Sequence, residues 1–226
     1  MNVALSRLAG DGFVVVPDLI DQACRDDLVA YLEAIKFDGA GSRSLLSQRW
    51  CAELASQLRQ HEVLKTLFPA DPMAVQCTLF DKSPTNNWLV ALHQDLSIAV
   101  KRRIDSADCS GWSEKEGRVY VQPPAKVLQE LVAVRVHVDD CPLESGPLRV
   151  VPGSHTLGRL DSVRVEAVRT EQGEVAVPVS RGGALVMRPL LLHASSKAAV
   201  PQPRRVLHFV FGPAALPLGL EWREQW

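Results

Sequence analysis

From residue 72 onward the chain is cut into short apolar, β-branched runs, and this pattern leaves few folds open. The runs are AVQCTLF, WLVALHQDLSIAV, LVAVRVHVDD, PLRVVPGSH, GEVAVPVS, GALVMRPLLLHA and RRVLHFVFG, with Gly, Pro, Asp and Ser between them. Side chains alternate between the two faces of a strand, so each such run can bury a face only by pairing with neighbours. Many short strands with turn chemistry between them predict an antiparallel sandwich or barrel rather than βαβ units. The expected fold class is α+β, mainly β: a double-stranded β-helix, or jelly roll, flanked by N-terminal helices.

Residues 1–70 read as helix-rich support. FVVV, from Phe13 to Val16, is a short buried strand closed by Pro17. Asp21 opens a helix along DQACRDDLVAYLEAIK, with Ala23, Leu28, Tyr31, Leu32 and Ile35 near one face. A second helical stretch is expected over 51–67. Residues 72–213 form the jelly-roll core of one domain spanning 1–226, a size that a single hydrophobic core can serve. Residues 101–124 are polar and irregular and read as a lid, with Trp112 and Tyr120 as contacts. The tail, GPAALPLGLEWREQW, is expected to pack back on the body, because its two tryptophans would otherwise expose much apolar area.

Composition narrows the function classes. Lys and Arg total 25 against 26 acidic residues, for a net charge of −1, so no nucleic-acid partner is expected. No apolar run approaches about 18 residues, so no membrane span is expected. The opening MNVALSRLAGDGFVVV does not read as a signal peptide. Cys24, Cys51, Cys77, Cys109 and Cys141 include no C-x-x-C pair and read as reduced thiols of a cytoplasmic protein. The sequence carries no signal for an oligomeric state.

His93-Gln94-Asp95 is the first chemical signal. On a strand, residues i and i+2 share a face, so this imidazole and carboxylate can grip one cation from the same side. Their neighbours are apolar, and an ionised Asp there is costly unless paired or metal-bound. His193, about 100 residues on, stands at the end of another apolar run. Two His and one carboxylate leave adjacent octahedral positions open, which suits Fe(II) oxygen chemistry. Structural zinc would want a fourth protein ligand and usually thiolates. A plain His–Asp hydrogen bond between strands is the competing reading.

Pro203-Arg204-Arg205 opens the last apolar run. A guanidinium at the mouth of an apolar barrel is a poor core residue and a good carboxylate clamp. One of the two arginines is a solvated strand start. Alternation puts Arg204 on a face with Val206, His208 and Val210, and Arg205 with Leu207, Phe209 and Phe211. It likewise joins Arg135 to His137, opposite Val134, Val136 and Val138. The first and third sets suit a lined pocket, although His137 and His208 also read as satisfied buried imidazoles. His155 is expected to cap a turn and His61 to lie on an exposed helix face. Lys101, Arg102 and Arg103 suggest an anionic substrate or a solvated loop.

Together HQDL, HASS, PRRVLHF and LESGPLRVVPGSH resemble the phytanoyl-CoA dioxygenase family of Fe(II)/2-oxoglutarate oxygenases, especially its small bacterial members. The resemblance runs from DGFVVVPDLI to LEW and extends to the ectoine hydroxylases. It implies iron on His93, Asp95 and His193, with the 2-oxoglutarate C5 carboxylate on Arg204 assisted by Ser195. A Gln and a Lys ahead of the H-x-D pair match Gln76 and Lys82, giving a substrate contact at Gln76 and a cofactor contact at Lys82. His208 is a further expected substrate contact. Arg135 departs from the family, which often has Trp there, and reads as a cationic contact to 2-oxoglutarate or to an anionic substrate.

The expected reaction consumes 2-oxoglutarate and O₂ and hydroxylates a small organic molecule, releasing succinate and CO₂. Asp95 favours hydroxylation over halogenation, because related halogenases lack this carboxylate. The rival readings are a 2-oxo-acid-independent cupin-like metalloenzyme, a non-catalytic jelly-roll binding module and a zinc hydrolase. The first would not need Arg204, the second would bind no Fe(II), and the third lacks an evident general base.

Overall fold

The computed structural model describes residues 3–35, 42–200 and 202–226. Its strands are β1 (Phe13–Val16), β2 (Pro72–Lys82), β3 (Val90–His93), β4 (Ile98–Val100), β5 (Ser110–Lys115), β6 (Arg118–Gln122), β7 (Val132–His137), β8 (Leu148–Val150), β9 (Val175–Val177), β10 (Ala184–Met187), β11 (His193–Ser195) and β12 (Arg204–Pro213). They pair antiparallel in a major sheet, β1-β10-β7-β12-β2, a minor sheet, β3-β11-β8-β9, and a three-stranded sheet, β4-β6-β5. Ala133, Leu185 and Met187 of the major sheet bury against Leu148, Val150 and Val177 of the minor sheet. This is the double-stranded β-helix.

Alternation sets what each face of the major sheet does. Val132, Val134 and Val136 of β7 and Leu207, Phe209 and Phe211 of β12 point away from the barrel. They bury against α1 (Val3–Gly10), α2 (Gln22–Ala34) and α3 (Arg49–Gln60) through Leu8, Leu28, Leu32, Leu54 and Leu58. Burying side chains of this size contributes about 1.5–3 kcal/mol each. Arg135, His137, Arg204 and His208 occupy the alternate positions and are buried on the barrel side.

Asp21 caps α2, accepting from the Cys24 amide at 2.8 Å. Leu28 and Leu32 are buried as expected, but Ala23 and Tyr31 are exposed, and Tyr31 stacks on Trp50 with centroids 5.5 Å apart. Lys36, at the end of the expected helix, lies outside the described residues. The 51–67 stretch is not one helix. It breaks at His61, whose extended backbone (ψ 132°) and ring Nδ1, 3.3 Å from the Val63 amide, cap α4 (Glu62–Lys65). His61 is therefore a capping residue rather than part of an exposed helix face. The remaining helices, α5 (Ala125–Gln129) and α6 (Ser162–Gln172), follow β6 and β8.

Two apolar runs that read as single strands are each divided between sheets. WLVALHQDLSIAV splits into β3 and β4, and GALVMRPLLLHA into β10 and β11. A continuous apolar run reports burial on both sides, and a crossing segment inside the barrel is buried like a strand. Leu190, Leu191 and Leu192 form such a crossing, all at 1 % exposure or less.

The 101–124 segment is irregular only in its first part, 101–109. β5 and β6 form a hairpin that adds to β4, with Ser113 opposite Tyr120. Its polar sequence reflects solvent around β5, where every residue but Trp112 is exposed. The tail packs back in part: Trp222 is buried and donates to the Pro213 carbonyl at 2.8 Å, and Arg118 holds Glu224 at 2.6 Å. Trp226 pairs its backbone with Ala74, but its side chain stays half exposed. Among the described residues no helix is long and apolar enough to cross a membrane, and all five cysteines are free thiols.

Candidate metal centre

β3 and β11 are neighbours in the minor sheet, and His93 lies directly opposite His193. The two rings stand 4.2 Å apart. Asp95 follows the end of β3 and is turned inward by its amide, which donates to the Pro189 carbonyl at 2.9 Å. One ligand atom from each of His93, Asp95 and His193 lies within 4.8 Å of the others. Asp95 Oδ1 is 3.6 Å from His93 Nε2, and its Oδ2 is 3.7 Å from His193 Nε2. Gaps of this size are too long for direct hydrogen bonds and suit a shared cation.

Backbone carbonyls fix both rings. His93 Nδ1 faces the Ala91 carbonyl at 2.8 Å, and His193 Nδ1 faces that of Leu191 at 2.9 Å. A carbonyl only accepts, so each Nδ1 carries the proton and each Nε2 offers its lone pair inward. Burial pushes the His193 pKa down to about 4, which keeps the ring neutral at physiological pH. Burial alone would raise the Asp95 pKa, but His193, His93 and His208 hold it below the usual carboxylate range. At His93 burial lowers the pKa, but Asp95 outweighs it and leaves the value raised. The donor set is therefore two imidazoles and one carboxylate, and a cation bound there would displace any Nε2 proton of His93.

The centre opens on a cavity of about 360 Å³, within the range of small-molecule sites. Its wall includes Gln76, Thr78, Phe80, Tyr120, Arg135, Ser195, Arg204 and His208. At one end, Arg204 Nη1 donates to the Gly146 carbonyl and, at 3.2 Å, to Ser195 Oγ. Lys82 stands opposite Arg204 in register and donates to Ser195 Oγ at 2.9 Å and the Ser196 carbonyl at 2.6 Å. It lies behind Ser195 rather than on the cavity wall, with Nζ 5.3 Å from the Trp88 ring centroid. Burial and then Arg204 push the Lys82 pKa down to about 8. No carboxylate among the described residues pairs with Lys82, Arg135 or Arg204. Arg205 points the other way and grips Asp139 through Nε at 2.9 Å and Nη2 at 2.7 Å.

His208 stands opposite both Thr78 and Arg135. Its Nδ1 accepts from Arg135 Nη1 at 2.8 Å, and its Nε2 is 3.9 Å from Asp95 Oδ2. Gln76 turns its amide onto Thr78 Oγ1 at 3.1 Å. Tyr120 joins the wall with a buried hydroxyl that has no hydrogen-bond partner, while Trp112 packs into the apolar cluster behind the hairpin. Lys101 and Arg102 pair with Glu221, and Arg103 lies over Trp112 at 5.6 Å; none of the three lines the cavity. His137 also lies off the wall, buried with Nδ1 unpartnered. His155 reaches the Ala9 carbonyl at 3.2 Å and so fastens α1 rather than capping its own turn.

Three supporting residues escaped the sequence reading. Gln94 donates to the carbonyls of Gly158 (2.8 Å) and Leu190 (2.7 Å) and accepts from the Leu160 amide (2.9 Å), pinning the segment that carries Asp95. Gly146, at φ +64°, turns its carbonyl onto Arg204 and Ser195; a Cβ there would meet the Ser196 carbonyl oxygen at 2.5 Å. Ser154 accepts from the Leu192 amide at 2.9 Å, just ahead of His193. Their sequence signals were the middle of HQD, the Gly of ESGP and the Ser of PGSH.

A double-stranded β-helix with a His-x-Asp…His cluster inside defines the jelly-roll class built around a two-histidine, one-carboxylate metal site. Within that class, the chain belongs to the phytanoyl-CoA dioxygenase (PhyH) family, whose model matches residues 8–206. No curated protein is significantly similar in sequence. Among solved structures, the epimerase SnoN in complex with Fe³⁺, alpha ketoglutarate and nogalamycin RO superposes with a TM-score of 0.72 at 17 % identity, covering 96 % of this chain and 90 % of that one. EctD from S. alaskensis, in its apoform, gives 0.70 at 18 % identity, covering 98 % and 83 %. HygX from Streptomyces hygroscopicus, with nickel and 2-oxoglutarate bound, gives 0.65 at 18 % identity, covering 94 % and 87 %.

Proposed function

We propose that this protein is an Fe(II)- and 2-oxoglutarate-dependent oxygenase that hydroxylates a small organic substrate. One spatial relationship carries the reading. The metal-ligand cluster and a carboxylate-free cationic clamp share one cavity. Ser195, which accepts from Arg204, lies two residues beyond the ligand His193 on β11, roughly 7 Å of strand. That separation suits a five-carbon dicarboxylate held at one end by a guanidinium and at the other by a metal. A 2-oxo-acid-independent metalloenzyme would have no use for the clamp, and a binding module would have no use for the cluster.

His93, Asp95 and His193 would hold Fe(II) on one side and leave the cavity side open. Arg204 and Ser195 would take the distal carboxylate of 2-oxoglutarate, with the Lys82 charge behind them, and so orient the cosubstrate. The bound metal and cosubstrate supply the oxidising power: 2-oxoglutarate and O₂ yield succinate and CO₂, and a substrate C–H becomes C–OH. Asp95 fills the position that a halide ligand would need, which favours oxygenation over halogenation. The free thiols and the lack of a membrane-crossing helix among the described residues are compatible with a cytoplasmic enzyme.

The test is anaerobic titration with Fe(II) and then 2-oxoglutarate, followed by succinate release on a substrate panel. Product analysis separates hydroxylation from epimerisation. Asp95→Ala should lose Fe(II) binding and succinate formation. Full turnover in that variant would overturn the assignment.

A further inference from the structure

Arg135 is a buried guanidinium, 5 % exposed, on the wall of the catalytic cavity. Nη1 donates to His208, the Phe80 ring covers the group at 5.0 Å, and Nε has no partner. Arg205 shows what this sequence does with an arginine it means to neutralise: it supplies Asp139 in a bidentate pair. Arg135 receives no carboxylate. A buried, unpaired cation facing a cavity is costly unless an anion arrives to pair with it.

Charge bookkeeping identifies which anion. Lys82, Arg135 and Arg204 are buried cations, and Asp95 is the only carboxylate on the wall among the described residues. Arg43 and Lys115 also reach the wall, but Arg43 pairs with Glu116 and Lys115 is exposed to solvent. With a divalent metal the site is strongly positive, and a 2-oxoglutarate dianion leaves two positive charges unmatched. Both charges of that cosubstrate already have a place. Its distal carboxylate goes to Arg204, and its other end goes to the metal. Arg135 stands beside His208, two inward-facing rows from Arg204, so it is left over. One side of the cavity wall is apolar, formed by Val75, Ile98, Leu128, Leu131, Val210 and Trp222, while Gln76, Thr78 and Tyr120 add uncharged polar groups.

Resting on the oxygenase reading above, we propose that the primary substrate is a small carboxylate with an apolar body, and that Arg135 is its specificity-determining contact. The carboxylate would accept from Arg135, while the apolar body would lie against the Leu128–Trp222 side with its C–H bonds towards the metal. The His208 ring, held by Arg135, would fix the angle of the guanidinium.

The test uses the Fe(II)- and 2-oxoglutarate-loaded protein under anaerobic conditions. The probes are cyclohexanecarboxylate and 3-phenylpropanoate, each against its uncharged carboxamide, with binding read by calorimetry. At least one carboxylate should bind ten-fold or more tighter than its amide. The preference should vanish in Arg135→Met and persist, weakened, in Arg135→Lys, which keeps the charge if the Met variant folds poorly. Equal binding of acid and amide, or no binding of either acid, would overturn the proposal. So would an Arg135→Met variant that loses 2-oxoglutarate affinity while keeping the acid preference, because Arg135 would then serve the cosubstrate. Failure of the wild type to bind 2-oxoglutarate at all is a different result: it removes the oxygenase reading, and with it the charge count used here.

Discussion

Lys82 and Arg204 face each other across β2 and β12 and share one acceptor, Ser195 Oγ, at 2.9 and 3.2 Å. Ser195 lies two residues beyond His193 on β11, so a single three-residue strand ties the metal cluster to the cationic end of the cavity. Two cations held that close without a carboxylate are poised for an anionic ligand. The energetic cost of keeping them together in the free protein is recovered when the ligand binds.

The two consecutive arginines should therefore separate cleanly. Arg204→Ala should weaken 2-oxoglutarate binding by about 2–5 kcal/mol, the scale for truncating a buried charge pair, with little loss of fold stability. Arg205→Ala should do the reverse, leaving Asp139 without its partner at a stability cost of about 2 kcal/mol. Calorimetric titration and urea unfolding on both variants check the exchange.

Lys82 gives a pH signature. Its folded pKa, pushed down to about 8 by burial and then by Arg204, lies below the unfolded value of 10.5. Between about pH 8 and 10.5 the unfolded chain keeps a proton that the folded chain has released. The Lys82 contribution to stability therefore rises with pH through that window, and its cost is greatest below pH 8. Lys82→Met should raise the melting temperature of the ligand-free protein at pH 7 and flatten this rise. In the wild type, 2-oxoglutarate affinity should fall above pH 8, and Lys82→Met should be weaker at neutral pH and lose that dependence. A variant whose affinity still falls across pH 8 would remove Lys82 from the role.

Gln94 should matter more than a linker residue between two ligands. Gln94→Leu keeps the volume but strands two carbonyls and an amide, a cost of about 2–3 kcal/mol. It also frees the segment that aims Asp95, so metal affinity should drop about 10- to 100-fold, the scale for lost supporting contacts. Chemical denaturation and Co(II) titration read the two effects separately.

Gly146→Ala places a Cβ 2.5 Å from a backbone oxygen at a positive φ. The strain should cost about 1–3 kcal/mol and displace the carbonyl that orders Arg204. Weaker 2-oxoglutarate binding at unchanged metal affinity is the expected pair of results.

Much of this was legible in the sequence because period-two alternation is local. Val14 and Val16, Val132, Val134 and Val136, and Leu207 and Phe209 all bury on the face that their spacing predicts. The same alternation separates Arg204 from Arg205. The cluster His93, Asp95 and His193 was legible because ionisable side chains in apolar runs have few uses other than ligation. The reading failed where burial has no period. The crossing 188–192 is nearly as apolar as a strand, the crossing 94–97 lies between two apolar strands, and β5 is as polar as a loop.

What the sequence by itself determined is most of the strands, the faces of those strands and the types of side chain they carry, since each depends on neighbours a few residues apart. Only the tertiary structure decided which charges meet. It gave Arg205 its Asp139, gave Lys101 and Arg102 their Glu221, placed Lys82 behind Ser195, and left Arg135 without a carboxylate. Charge pairing acts over a few ångströms between residues far apart in the chain, such as Lys101 and Glu221 or Glu33 and Arg205, so it becomes visible only once the sheets have closed.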